Sequence, residues 1–148
     1  CLSRGLGDVY KRQSVESDKS KKKADLDRRC DIINSSGADM VISIHQNSYV
    51  TPKAEGAQVF YYKKSDESKK IAQIMQNVLG EKLGSTRQIK SDVNYYILLH
   101  SQLPTIISEC GFLSNPEEEQ RLCTEEYQER IADALYCGII EYLMMNMN

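Results

Sequence analysis

Apolar residues recur along this chain at two spacings, and segments of the two kinds alternate. Helical spacing, with apolar positions three and four residues apart, occurs in three segments: residues 20–36, 65–83 and about 124–142. Shorter runs that are continuously apolar or alternating predict four strands: residues 40–45, 56–62, 95–99 and 105–110. This order favours an α/β fold, a three-layer sandwich in which helices flank a mixed β-sheet.

Glycine and capping residues mark where several of these elements end or begin. Gly37 and Gly84 follow the first two helical segments, and Asn115, with a proline after it, predicts the start of another helix. We expect Glu118 to complete that start as a capping-box carboxylate. We also expect Gly111 to supply a turn with positive φ.

The composition is typical of a globular domain. The 148 residues fit one domain, of which 41% of residues are hydrophobic and 27% charged. With 19 basic and 21 acidic residues the net charge is −2, which argues against a broad nucleic-acid-binding surface. No apolar run approaches the roughly 18 residues that cross a bilayer, so we expect no stable membrane span.

Two further features qualify the domain assignment. The five cysteines lack metal-binding or paired spacing, so we interpret Cys30, Cys110 and Cys137 as small buried hydrophobic residues. Residues 1–13 show no sustained helical or strand period and no apolar core of a signal sequence. We therefore interpret residues 1–13 as unrelated or artefactual, and residues 14–148 as the fold.

His45 ends the strand predicted at residues 40–45, whose nearly continuous apolar character indicates burial on both faces. Ligands in open α/β sheets gather beyond the carboxyl ends of strands, which is where this imidazole lies. A neutral histidine there could bind Zn²⁺ through one nitrogen. The alternative is a partly buried histidine that hydrogen-bonds to Ser43 or Asn47.

Glu109 lies near the end of the apolar strand at residues 105–110. A carboxylate with little solvent on either side has a raised pKa, which suits a general base. The alternative is a glutamate that caps the next turn or pairs with a lysine. His100 is a weaker candidate, which we expect in a loop. The sequence has no Walker loop, GxGxxG, GxSxG or HExxH motif.

These segments, in this order, resemble the Amidase_3 family of zinc-dependent N-acetylmuramoyl-L-alanine amidases, and most of all its germination- and sporulation-type members. The matching pieces are Ser43-Ile-His45-Gln-Asn47, then Gly56-Ala-Gln-Val-Phe-Tyr61, then Glu109-Cys-Gly-Phe-Leu-Ser-Asn115. The resemblance implies that His45 is a zinc ligand and Glu109 the catalytic carboxylate. It also implies a peptidoglycan substrate, hydrolysis of the bond between N-acetylmuramoyl and L-alanine, and export to the cell wall or spore cortex.

The resemblance is incomplete at the N-terminal side. The family uses a first histidine in a Gly-rich loop and a glutamate ligand, both of which precede the matching region, and residues 1–25 contain neither in a comparable setting. The chain therefore corresponds to the C-terminal two thirds of an amidase catalytic domain. A catalytic zinc ordinarily has three protein ligands and a water, of which only one is recognised here.

Three functional hypotheses follow. The first is a zinc-dependent amidase that lyses cell wall or spore cortex, extracellular by resemblance. The second is a catalytically inactive peptidoglycan-binding or interaction remnant, which the missing ligands suggest. The third is a zinc carboxypeptidase, because related α/β zinc hydrolases cleave peptide C-termini.

Overall fold

The computed structural model describes residues 15–146, in which helices cover both faces of a four-stranded sheet. The strands are β1 (Val41–Asn47), β2 (Gln58–Tyr61), β3 (Lys90–Ser91) and β4 (Thr105–Phe112). The helices are α1 (Val15–Ser35), α2 (Asp66–Leu83), α3 (Tyr96–His100), α4 (Pro116–Leu122) and α5 (Glu125–Asn146).

The strand order β1–β4–β2–β3 makes the sheet mixed. β1 is parallel to β4, β2 is antiparallel to β4, and β3 is parallel to β2. β4 lies between β1 and β2, and every one of its residues is buried. The predicted mixed sheet flanked by helices is therefore confirmed. The assignment of residues 1–13 lies outside the described residues.

The main core lies between the sheet and helices α2 and α5. It packs side chains from β2 and β4 against the apolar stripes of the two helices, as the helical spacing predicted. α2 begins at Ser65, whose hydroxyl accepts a hydrogen bond from the Ser68 N–H, and ends at Gly84 with φ of 75°. Gly138 on α5 allows close approach, because a Cβ there would lie 2.7 Å from the Met75 sulfur.

The opposite face of the sheet is covered by α3. Phe60, Ile107 and Leu98 form a second, smaller cluster there. The prediction of a strand at residues 95–99 is wrong, because this segment forms a helical turn in which Tyr96 stacks on His100 at a centroid distance of 4.0 Å. A five-residue apolar run suits either structure, and only packing decides between them. α3 also touches α1, since the Tyr96 hydroxyl donates to Asp27.

β1 forms one edge of the sheet and pairs only with β4 among the described strands. Met40 and Ile42 pack against the main core, but Ile44 is 55% exposed. The expectation that this strand is covered on both faces is thus wrong at its carboxyl end, where no described helix lies over it.

Burial of Cys30 and Cys110 is confirmed, whereas Cys137 is only half-buried. Within residues 15–146, no helix is both long and apolar enough to cross a membrane.

Candidate functional site

His45 and Glu109 lie side by side at one end of the sheet. The parallel pairing of β1 with β4 places the two residues directly opposite each other in register. Because neighbouring residues in register point to the same face, both side chains emerge on the face that carries α3. Strand ends that are far apart in sequence thus bring together the two residues that the sequence singled out.

The Glu109 carboxylate is almost completely buried. The residue is 5% exposed, and its Oε1 accepts a hydrogen bond of 3.2 Å from the Tyr95 hydroxyl. Its Oε2 is buried and has no hydrogen-bond partner among the described residues. Burial raises the pKa of Glu109, and the hydrogen bond from Tyr95 partly opposes this. A buried carboxylate with one uncommitted oxygen and a raised pKa is suited to accept a proton.

Tyr95 is fixed as the donor in this pair. Its ring packs edge-on against Phe60 at a centroid distance of 5.4 Å. Burial and the neighbouring Glu109 raise the pKa of Tyr95 to about 12, so the phenol keeps its proton at neutral pH. The tyrosine therefore holds one oxygen of Glu109 and leaves the other to the site.

His45 is more accessible than Glu109. Its Nε2 lies 2.8 Å from the Ser43 hydroxyl oxygen, which is one of the two contacts considered from the sequence. Partial desolvation, and secondarily the charge of Arg29, lower the pKa of His45. The imidazole is therefore neutral at neutral pH, which is the form that accepts a proton or binds a metal.

Gln58 is the third member of this row. β2 is antiparallel to β4 and places Gln58 opposite Glu109, so one polar side chain from each of three strands lines up across the sheet. The Gln58 Oε1 accepts from the Arg87 Nη1 at 3.2 Å, and its Nε2 donates to the Gln88 carbonyl at 2.9 Å. Sequence reasoning missed Gln58 and Arg87, although a glutamine within an apolar strand was a visible signal.

The Glu118 carboxylate hydrogen-bonds the end of β4 to the loop before β2, next to the site. It is 3% exposed, and its two oxygens accept from the Phe112 N–H at 2.7 Å and the Gly56 N–H at 2.9 Å. The helix cap at Asn115 is confirmed, but the expected capping-box role of Glu118 is wrong, because its carboxylate reaches β4 and the loop before β2 instead. This carboxylate links the two strands that hold Glu109 and Gln58.

The contacts of Glu118 and its helix α4 with β4 also explain the glycine at position 111. Positive φ occurs at Gly37, Gly56 and Gly84 among the described glycines, so the positive-φ turn expected at Gly111 is wrong. A Cβ at Gly111 would lie 3.3 Å from the Leu122 Cδ1 and 3.5 Å from the Glu118 Oε2. The absence of a side chain at Gly111 therefore allows α4 to approach the strand closely.

The described residues offer one candidate ligand for a zinc ion, His45. An accessible neutral imidazole beside a buried carboxylate oxygen without a partner fits one side of a zinc site. No group of three His, Cys, Asp or Glu side chains suited to a metal occurs in the described part of the chain. His100 ends α3, where its ring stacks on Tyr96 rather than joining His45 and Glu109. Within residues 15–146, His45 is thus a single candidate zinc ligand, and a complete ligand set is not found there.

Comparison with known proteins gives consistent matches. The family model described as N-acetylmuramoyl-L-alanine amidase (Amidase_3) matches residues 8–141. The germination-specific N-acetylmuramoyl-L-alanine amidase of Bacillus subtilis is 40% identical over 125 residues, which are 83% of this chain and 53% of that protein. The N-acetylmuramoyl-L-alanine amidase LytC of the same organism is 26% identical, over 79% of this chain and 24% of that protein. The chain therefore spans about half the length of the first relative and less of the second.

Solved structures share the fold. The CwlD amidase of Clostridioides difficile, determined in complex with the GerS lipoprotein, superposes with a TM-score of 0.83 at 36% identity. The match covers 93% of this chain and 73% of that one. An N-acetylmuramoyl-L-alanine amidase of Clostridium difficile 630 superposes with a TM-score of 0.75 at 33% identity, covering 80% and 64%.

Proposed function

The chain belongs to the N-acetylmuramoyl-L-alanine amidase family (Amidase_3), and on that premise we propose that it hydrolyses the amide between N-acetylmuramoyl and L-alanine in peptidoglycan. The observation that carries the proposal is the buried Glu109 carboxylate, with one oxygen uncommitted, next to the accessible His45. A carboxylate in this state is suited to act as the general base in the hydrolysis of an amide.

Glu109 serves two proton transfers of the reaction. Its Oε2 takes a proton from water as the water oxygen bonds to the amide carbonyl carbon. The same carboxyl then gives the proton to the amide nitrogen as the carbon–nitrogen bond breaks. The second proton of the water passes from the new lactyl carboxyl group to the released amine, which leaves a lactyl carboxylate and the ammonium group of L-alanine. The raised pKa of Glu109 suits both steps, because the group must hold the proton between them. Tyr95 keeps the carboxyl oriented throughout.

We also propose that the reaction depends on zinc. When bound, Zn²⁺ polarises the carbonyl and lowers the pKa of water. His45 would supply one ligand, and the described residues hold no group of three suitable side chains that would complete the set. The neutral state of the His45 imidazole, which its lowered pKa favours, supports this role.

The first experiment measures zinc and cleavage on the same preparations. Zinc per chain is determined after dialysis for the unmodified protein, for His45→Ala and for the matched control His100→Ala. Because the described residues offer a single recognised ligand, we expect weak zinc binding when the dialysis buffer contains zinc, and this binding should be lost in His45→Ala and kept in His100→Ala. Equal zinc in all three proteins, or none in any, would refute His45 as a ligand in this chain.

Cleavage tests Glu109 separately from zinc. A muramoyl-peptide is incubated with the unmodified chain, with Glu109→Gln and with Glu119→Gln, whose side chain is exposed on α4. We expect product only from the unmodified chain and the Glu119 variant, with a loss of at least about 100-fold in Glu109→Gln. Product at the normal rate from Glu109→Gln would refute the role of this carboxylate.

A non-catalytic function is the second candidate, and the incomplete ligand group favours it. In that case the chain is retained on insoluble peptidoglycan but releases no product. For either candidate we propose the cell wall or spore cortex as the site of action, because the similar Bacillus subtilis protein is named as germination-specific. Sedimentation with purified walls and analysis of released fragments separate the two candidates.

A further inference from the structure

Arg87 holds its guanidinium in a fixed position beside the row formed by His45, Glu109 and Gln58. Its Nε donates to the Glu55 carbonyl and its Nη1 to the Gln58 Oε1, at 3.2 Å in the second case. The guanidinium carbon lies 4.5 Å from the ring centroid of Phe112, which is itself 3% exposed. Two acceptors and one aromatic face therefore fix the plane of this half-buried cation.

The contacts that fix Arg87 are all neutral. Among the side chains that the structure describes, none of the carboxylates lies within the 4.0 Å that defines an ion pair with this arginine. Arg29 and Arg121, by contrast, each pair with a carboxylate. A preorganised guanidinium with neutral partners is the arrangement that binds a carboxylate strongly, because little side-chain entropy remains to be lost.

The distance from Arg87 to the reacting atoms is set by the sheet. Gln58 lies opposite Glu109 on the neighbouring strand, about 4.8 Å away, and Arg87 donates to the Gln58 side chain. In an extended peptide the second residue past the cleaved carbonyl is about 7 Å away. A peptide that extends from Glu109 across Gln58 therefore brings its second residue within reach of the Arg87 guanidinium.

We propose that Arg87 is a specificity-determining residue that binds a free carboxylate on the peptide, carried by the residue after the L-alanine. This inference rests on the proposed function and adds the peptide chemistry that the site prefers. In a muramoyl-peptide that residue has a backbone carboxyl group that is either free or amidated. Arg87 selects the free form, because the amidated form is uncharged and offers only one acceptor oxygen.

The test compares two ligands that differ only at this group and whose γ-carboxyl group is blocked as the methylamide. One is N-acetylmuramoyl-L-alanyl-D-glutamic acid γ-methylamide, with a free α-carboxylate, and the other is N-acetylmuramoyl-L-alanyl-D-isoglutamine γ-methylamide, with an amidated one. Calorimetry measures the dissociation constant of each for the full chain, and chromatography follows product in the same samples. The proteins are the unmodified chain, Arg87→Gln, Arg87→Lys and the control Arg130→Gln. Arg130 is a matched control because it likewise donates to a backbone carbonyl and lies over an aromatic ring, but on α5.

The ratio of the two dissociation constants within one protein is the decisive quantity, since any loss of folded protein cancels from it. We expect the unmodified chain and Arg130→Gln to bind the carboxylate form about tenfold more tightly than the amide. Arg87→Gln should bind both forms equally, and Arg87→Lys should keep part of the preference because it keeps the charge but not the planar fork.

Three results would overturn the inference, and they are distinguishable. Equal binding of both forms by the unmodified chain, or a tenfold preference that persists in Arg87→Gln, removes the role of Arg87 and leaves the proposed amidase function standing. Failure of the unmodified chain both to bind and to cleave either ligand removes the proposed function together with this inference.

Discussion

Replacing Glu118 with alanine should destabilise the protein far more than its position on a short helix suggests. The carboxylate accepts hydrogen bonds from the Phe112 N–H and the Gly56 N–H, and the side chain is almost fully buried. Glu118→Ala leaves the Phe112 N–H without an acceptor inside the protein, which costs about 1–3 kcal/mol. The Gly56 N–H is only partly buried, so the loss of its acceptor costs less, because water can replace that acceptor.

The expected sum is about 2–4 kcal/mol, which is a large share of a domain stability of about 5–15 kcal/mol. Glu118→Gln should lose about half as much, because its amide keeps one acceptor oxygen but turns an NH₂ group toward a backbone donor. The pair with Arg121 adds little, since that arginine is exposed and 3.5 Å away. Urea denaturation followed by circular dichroism gives the free energies of unfolding.

Glu119→Ala is the matched control, because the neighbouring glutamate is exposed on the same helix. It should change the free energy of unfolding by less than about 0.5 kcal/mol. Amide hydrogen exchange supplies a local readout, and the Phe112 N–H should lose protection in Glu118→Ala alone. If Glu118→Ala matched Glu119→Ala in stability and kept the protection of the Phe112 N–H, the stabilising role of the Glu118 hydrogen bonds would be disproved.

Two further predictions follow from the site and the helix ends. Burial raises the pKa of Glu109 above its ordinary value of 4.5, so the folded state binds the proton more tightly than the unfolded state, and this stabilisation is lost as pH rises through the folded-state pKa. Glu109→Gln escapes that loss, so its melting temperature should rise relative to the unmodified chain between about pH 4.5 and neutrality; a constant difference would contradict the raised pKa. Gly84 caps α2 at φ of 75°, and a Cβ added there would meet no atom within 4 Å, so Gly84→Ala should cost about 1–2 kcal/mol purely from the backbone, and Gly84→Asn less. Equal melting temperatures for the Ala and Asn variants would contradict that cause.

Local signals in the sequence were sufficient where one residue decides the structure. Ser65 and Gly84 define α2 by a hydroxyl cap and a left-handed glycine, and both act without distant partners. The segment at residues 95–99 lacks such signals, and its helical form depends on Tyr95 and Leu98 packing against the sheet. Gly111 was misjudged for the same reason, because the close approach of Leu122 is a tertiary contact.

The candidate site was predictable to the extent that strand ends reveal it. His45 and Glu109 each end or nearly end an apolar run, and parallel strands bring their carboxyl ends to one edge. Gln58 enters the row only through the antiparallel register of β2 with β4, which no local pattern specifies. Arg87 could not be predicted because it lies in a loop, where its position depends on contacts with the Glu55 carbonyl and the Phe112 ring.

The central position of β4 has a consequence for the order in which the chain can fold as it is synthesised. Among the described strands, β1 pairs only with β4, and β2 pairs with β4 and with the two-residue β3; β4 is made after all three. Until residue 112 has left the ribosome, β1 has no partner among the described strands and β2 has only the two-residue β3. His45 is therefore synthesised before α2 and α3, and the candidate site cannot form until β4, which carries Glu109, has been made.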